Sequence, residues 1–275
     1  MSDNAGGEVV ATSEGPGHEH GQEEVQLNIF RGLPGEEGQQ VSYTVPFVTG
    51  MVVLDAVHHV QRNIDTDLAC RWNCKAAKCG SCSAEINGKP ALMCKTRVED
   101  LPEGPISVAP MRSFPLVKDL VTDVSRNYEI NASIPQFTPA DDPSEGPWRI
   151  QQEDIERVYE FRKCIECFLC QDVCHINRDH GLSAQYFGPR FFVRVASLEM
   201  HPKDVLDRRE QTRAEGGIGF CNVTKCCTDV CPEHIHITDN AIIPMKERIN
   251  DVHWDPLRAL GRTFRRSSDG SVSTS

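Results

Sequence analysis

Four cysteines within eleven residues, Cys164-x2-Cys167-x2-Cys170-x3-Cys174, constrain this chain more than any other feature. Thiols at that density need a shared ligand, and they are too crowded for one tetrahedral zinc ion. Two further groups follow the same logic: Cys74-x4-Cys79-x2-Cys82-x11-Cys94, and Cys221-x5-Cys227-x3-Cys231 followed by Pro232. Thirteen cysteines in 275 residues is an odd count. It also lies below the ~8–10% that marks a disulfide scaffold. The opening MSDNAGGEVVATSEG has neither the basic nor the apolar region of a secretory signal, so a reducing cytoplasm is expected. Reduced thiols in such numbers point to metal or cluster ligation.

The spacing separates the metals. A loop supplying Cys74, Cys79 and Cys82, with Cys94 from an adjacent strand, wraps a 2Fe-2S rhomb; Gly80 lets the backbone approach the sulfides. A zinc knuckle would favour two close pairs around one ion. Cys70 falls outside the register and reads as a small buried hydrophobe. The Cys164–Cys174 run has the spacing of bacterial ferredoxins, in which three cysteines hold one cubane and the fourth ligates another. Its partner half-motif carries Thr224 midway between Cys221 and Cys227, where a full repeat would carry a thiol. Crossing the half-motifs assigns Cys164, Cys167, Cys170 and Cys231 to a 4Fe-4S cluster. Cys174, Cys221 and Cys227 are left for a 3Fe-4S cluster. Cys226 is out of register and reads as a bystander. His234 and His236 alternate in a way that could bind metal, but solvent exposure after Pro232 is the expected state.

The chain divides accordingly. Residues 1–24 carry six acidic residues and no Lys or Arg, an acidic disordered tail. Residues 25–125 read as a 2Fe-2S ferredoxin domain. Val25, Leu27 and Ile29 alternate, as do Val41, Tyr43 and Val45, in a hairpin signature. Thr49 can cap a helix bearing Val53, Leu54, Val57 and Val60. Strands are expected over 83–86, 91–94 and 106–109, with an Asn87-Gly88 turn, a β-grasp order. Residues 126–149, with Pro135, Pro139, Pro143, Pro147, Asp141 and Asp142, read as a linker. Residues 150–252 read as an all-α two-cluster domain, with helices from Glu153, over 205–214 and over 240–249, the last disturbed by Pro244. Residues 253–275 form a tail bearing Arg258, Arg262, Arg265 and Arg266.

One plant-type loop, a linker and a two-cluster helical module together resemble the iron-sulfur subunit of succinate dehydrogenase and fumarate reductase, the complex II family, over about residues 25–250. The resemblance implies an α+β chain that serves as an electron wire. A flavoprotein partner oxidises succinate on covalent FAD, and electrons pass through the 2Fe-2S, 4Fe-4S and 3Fe-4S clusters to quinone in an integral membrane anchor. It implies a peripheral place on the cytoplasmic face of the plasma membrane, in succinate oxidation or in the fumarate reductase direction. Many family members follow the fourth cysteine of the first run with Pro and soon after a Trp that contacts quinone. This chain has Cys174-His175-Ile176-Asn177, and no Trp follows until Trp254. The quinone site therefore cannot be copied onto it, and His175 is the candidate quinone-side contact.

Other functions are disfavoured. A net charge of −11 argues against a nucleic-acid partner, because the phosphate backbone would be repelled. The apolar stretch at Met51–Leu54 is broken by Asp55, His58 and His59, short of the ~18–20 residues a spanning helix needs. No catalytic acid, base or nucleophile stands out, so substrate chemistry belongs to a flavin subunit. Competing readings are an iron-sulfur subunit of another flavoprotein and a zinc-stapled interaction protein.

Overall fold

The computed structural model describes residues 24–139 and 149–254. Residues 1–23 and 255–275 of the two expected tails, and Asp141, Asp142, Pro143 and Pro147 of the expected linker, lie outside them.

The N-terminal half forms strands β1 (Glu24–Arg31) and β2 (Gln39–Pro46), helix α1 (Val53–Asn63), strands β3 (Ser83–Ile86), β4 (Lys89–Leu92) and β5 (Ile106–Ala109), and a small ribbon of β6 (Leu116–Lys118) and β7 (Val121–Thr122). The five-stranded sheet runs β2-β1-β5-β3-β4; β1 pairs antiparallel with β2 and parallel with β5. This is the expected β-grasp order. Alternation explains the sheet's buried face: Val25, Leu27 and Ile29 of β1 and Tyr43 and Val45 of β2 all point inward. Helix α1 lays Val53, Leu54, Val57 and Val60 on that face. It starts at Val53 after an extended Val52, whose N–H donates to Asp55 Oδ2 at 3.4 Å, so Thr49 is not its cap. Asn87 (φ 48°) and Gly88 (φ 75°) form the expected turn, both left-handed as a tight hairpin requires. Strand β4 ends at Leu92, and Cys94 sits in the turn beyond it rather than on a strand. The Lys95 and Thr96 N–H groups both donate to Leu92 O and close that turn.

The segment expected as a linker over 126–149 contains helix α2 (Ser125–Ser133). Its sequence is mostly polar, and tertiary contact stabilises it: Asn127 is buried and accepts from Gln171 Nε2 at 3.0 Å. Helices follow as α3 (Gln152–Tyr159), α4 (Leu169–Asp172), α5 (His175–Arg178), α6 (Pro189–Glu199), α7 (Arg209–Ala214), α8 (Cys226–Asp229) and α9 (Ile243–Trp254). Helix α7 is shorter than the expected 205–214. The Val205 N–H is taken by Thr138 O, and Arg208 is buried in an ion pair with Asp204 while donating to Pro135 O and Gln136 O. A π-helical turn over Ile237–Ile242 leads into α9. Pro244 falls at the second residue of α9, directly after that π-helical turn, and the helical run continues past it to Trp254. Among the described residues no helix is long and apolar enough to cross a membrane.

Two hydrophobic clusters result, one under the sheet and one among α6, the π-helical turn and α9. The halves meet through buried polar contacts. Ser83 Oγ donates to Cys167 O at 2.8 Å, and the Ser113 N–H donates to Asp172 Oδ1 at 3.0 Å. Glu85, 3% exposed, pairs with Arg112 and with Arg178, each at 3.0 Å. Burial, with the Glu85 carboxylate adding to it and the Ser113 N–H opposing, pushes the Asp172 carboxyl up to about 7.

Candidate metal centres

The first group of thiols lies on a loop that turns repeatedly through left-handed backbone, at Lys75 (φ 54°), Ala77 (φ 55°) and Gly80 (φ 68°). These turns aim amides at sulfur: the Ala76 and Lys78 N–H groups both donate to Cys74 Sγ at 3.3 Å. The thiols fall into two touching pairs, Cys74 with Cys79 and Cys82 with Cys94, with Cys79 close enough to Cys82 to influence it. Burial opposes ionisation of Cys79, yet hydrogen bonds involving Ser81 and Cys74 bring its thiol down to about 7. Cys82 is enclosed, and burial pushes it up to about 12. Gly80 has a second role. A Cβ there would lie 2.5 Å from Cys167 Cα, so the glycine lets this loop seat directly on the backbone of the second centre.

Cys164, Cys167, Cys170 and Cys231 line one cavity, closed by apolar Ile165, Phe168, Val193, Ile235 and Ile237. The Ile235 N–H donates to Cys231 Sγ at 3.4 Å. Burial pushes Cys167 up to about 12 and Cys170 well above the ordinary thiol range. Buried this way, Cys167 and Cys170 favour the protonated form, so their ligation as thiolates requires the charge of bound metal to displace the protons.

The third group gathers around Tyr186, 1% exposed, whose hydroxyl accepts from Cys174 Sγ at 4.0 Å. Burial raises the Tyr186 phenol, and Cys174, Cys221 and Cys227 all push it the same way. Cys227 Sγ contacts Thr238 Oγ1 at 3.4 Å. The two half-motifs repeat in backbone. After Cys164, left-handed residues fall at Glu166 (φ 55°) and Phe168 (φ 60°), and α4 begins; after Cys221 they fall at Val223 (φ 64°) and Lys225 (φ 65°), and α8 begins. Thr224 thus holds the position of Cys167, and Cys226 that of Leu169.

Among the described residues, no three His, Cys, Asp or Glu side chains close tightly enough around one point to hold a single metal ion. Cys164, Cys167, Cys170 and Cys231 instead share one cavity whose wall is mostly apolar, with Arg190 and Glu233 at it, and four thiols around one space suit an iron-sulfur cluster. Cys70 packs against the N-terminal core, and burial pushes its thiol up to about 12. His175 opens α5 beside Cys174; its ring meets His180 edge-on at 5.9 Å, and its Nε2 is enclosed without a hydrogen-bond partner. His234 is exposed. His236 is tied to Glu160 Oε1 through its backbone N–H (2.8 Å) and Nδ1 (2.7 Å) rather than to a second histidine. Tyr186 and the contacts of Gly80 and Ser83 with Cys167 carried no spacing signal in the sequence.

Residues 26–129 match the family model described as a 2Fe-2S iron-sulfur cluster binding domain, and residues 160–235 match the 4Fe-4S dicluster domain. The chain is 31% identical to the fumarate reductase iron-sulfur subunit of Mycobacterium tuberculosis, covering 70% of this chain and 79% of that one. It is 29% identical to the fumarate reductase iron-sulfur subunit of Haemophilus influenzae, covering 73% of this chain and 82% of the relative. Among solved structures, a chain of the Mycobacterium smegmatis Sdh1 complex in the apo form superposes with a TM-score of 0.81 at 54% identity, covering 85% of this chain and 98% of that chain.

Proposed function

As the chain belongs to the iron-sulfur subunits of the fumarate reductase and succinate dehydrogenase family, an electron-transfer subunit by that membership, we propose that it serves a succinate:quinone oxidoreductase and works in the direction of succinate oxidation. The direction leans on the likeness to the Sdh1 complex. In this reading a FAD-bearing flavoprotein delivers electrons, an integral membrane anchor offers quinone, and the subunit sits peripherally on the cytoplasmic face.

The ligand sets are Cys74, Cys79, Cys82 and Cys94 for a 2Fe-2S cluster, Cys164, Cys167, Cys170 and Cys231 for a 4Fe-4S cluster, and Cys174, Cys221 and Cys227 for a 3Fe-4S cluster. The observation that carries the last assignment is the backbone repeat that puts Thr224 in the register position of Cys167. A threonine hydroxyl is no routine iron ligand, so one corner lacks a thiolate. When bound, the clusters supply one-electron carriers spaced along the chain. The protein's part is to position and insulate them. Amides of Ala76, Lys78 and Ile235 donate to ligand sulfurs, apolar side chains exclude water from the second centre, and Gly80 holds the first loop against the second. His175 is the quinone-side candidate in this assignment. The division into a ferredoxin domain at 25–125 and a dicluster domain at 150–252 belongs to the same reading.

Extraction from membranes in mild detergent should yield a brown complex with covalent flavin, a flavoprotein and a membrane subunit. It should hold about nine irons, and succinate should drive quinone reduction. Stoichiometric zinc without acid-labile sulfide, or a complex that reduces fumarate but does not oxidise succinate, would overturn the respective part.

A further inference from the structure

Cys226 has no place in the ligand register, yet its position is not that of a bystander. Thr224 Oγ1 lies 3.4 Å from Cys226 Sγ, so the thiol touches the residue that stands where the first half-motif carries its middle ligand. Cys226 is also within electrostatic reach of both Cys174 and Cys227, two buried thiols of the third set. Leu169, its counterpart in the repeat, is buried in the core under the sheet, whereas Cys226 is half-buried and not locked into a core. A change between staggered side-chain wells suffices to swing its sulfur about Cβ.

We infer that Cys226 is a reserve ligand of the third centre, able to complete a four-iron cluster at the corner that Thr224 leaves without a thiolate. This rests on the three-cluster reading above. The step balances without an added electron. A one-electron-reduced 3Fe-4S core, which is neutral, takes up one ferrous ion; the Cys226 S–H bond breaks, a bond forms between its sulfur and the new iron, and one proton leaves to solvent. The product is a dipositive 4Fe-4S core held by Cys174, Cys221, Cys227 and Cys226. Ferrous ion is the only co-reactant of that step; a reductant supplies one electron beforehand, bringing the oxidised 3Fe-4S core to its neutral state. The consequence is a centre whose iron content follows ferrous-iron supply, with the potential presented to quinone changing alongside it.

The test uses the detergent-extracted complex, reduced anaerobically with dithionite, incubated with ferrous iron-57 and desalted. Wild type should retain about one iron-57 per complex, and its oxidised 3Fe-4S resonance should fall in proportion. Cys226→Ala should show that resonance as isolated but retain no added iron. Cys226→Ala combined with Thr224→Cys should regain uptake, because a thiolate then stands at the corner itself. Equal retention by wild type and Cys226→Ala overturns the inference, as does a wild type that retains none. Should Cys226→Ala fail to assemble, Cys226→Ser takes its place and must likewise retain no added iron, equal retention by it and wild type overturning the inference. A wild-type complex with no 3Fe-4S resonance as isolated removes the three-cluster reading and this inference with it; uptake failing while that resonance is present removes the inference alone.

Discussion

Replacing Gly80 by Ala tests whether the first loop must touch the second centre. The new Cβ would sit 2.5 Å from Cys167 Cα, 2.9 Å from its Cβ and 2.9 Å from its N. Those atoms are mostly backbone and belong to a residue whose carbonyl is held by Ser83 Oγ, so they have little room to yield. Left-handed backbone at φ 68° costs an alanine about 1–2 kcal/mol, and overpacking adds about 1–3, for a loss on the order of 2–5 kcal/mol. Gly88→Ala is the control. It sits at φ 75° with nothing within 4 Å of its added Cβ, and so bears only the backbone part. The difference of about 1–3 kcal/mol isolates the close approach, and in a unit of about a hundred residues each kcal/mol moves the midpoint by about 4–8 °C. The assay is loss of visible cluster absorption on heating the loaded chain. If the two alanine variants melt within about 2 °C of each other, the contact with Cys167 is not what requires glycine.

Three other outcomes follow from the same structure. Arg178→Met should destabilise by about 3–5 kcal/mol by leaving the enclosed Glu85 short of a partner, whereas Arg112→Met, whose side chain is 60% exposed, should lose less than about 1; denaturant midpoints of the two decide it. Asp65 is held below the usual carboxylate range, first by the Tyr43 hydroxyl and against burial, with Arg31 adding to it. Its stabilisation is therefore present above about pH 4 and lost as pH falls through its lower folded value, so Asp65→Asn should flatten the acid limb of a stability-pH curve, and an unchanged limb would count against that pairing. Cys79→Ser should remove the 2Fe-2S resonance selectively while Cys70→Ser keeps every cluster signal, as electron paramagnetic resonance of the reduced proteins can check.

The sequence by itself determined the chemistry and the framework. Ligands of one cluster must lie within a few ångströms of shared irons, so most come from short loops, and short loops leave their mark as fixed spacings. The β-grasp order was legible for a related reason: period-two alternation in β1 and β2 and the Asn87-Gly88 turn are local consequences of which face is buried. Local pattern failed where distant segments decide. Helix α2 exists because Asn127 finds Gln171, 44 positions away, and the expected helix over 205–214 is cut short because the Val205 amide finds Thr138. Gly80 was legible as a glycine near sulfur, but not as the seat of Cys167. Tyr186, buried against Cys174, gave no sign in the sequence at all, and Cys226 gained its neighbours only when the loop turned through Val223 and Lys225. Spacing records what a chain can do within a dozen residues; which side chains then share a corner depends on how the two half-motifs and the two halves stack, and that is settled by packing across the whole molecule.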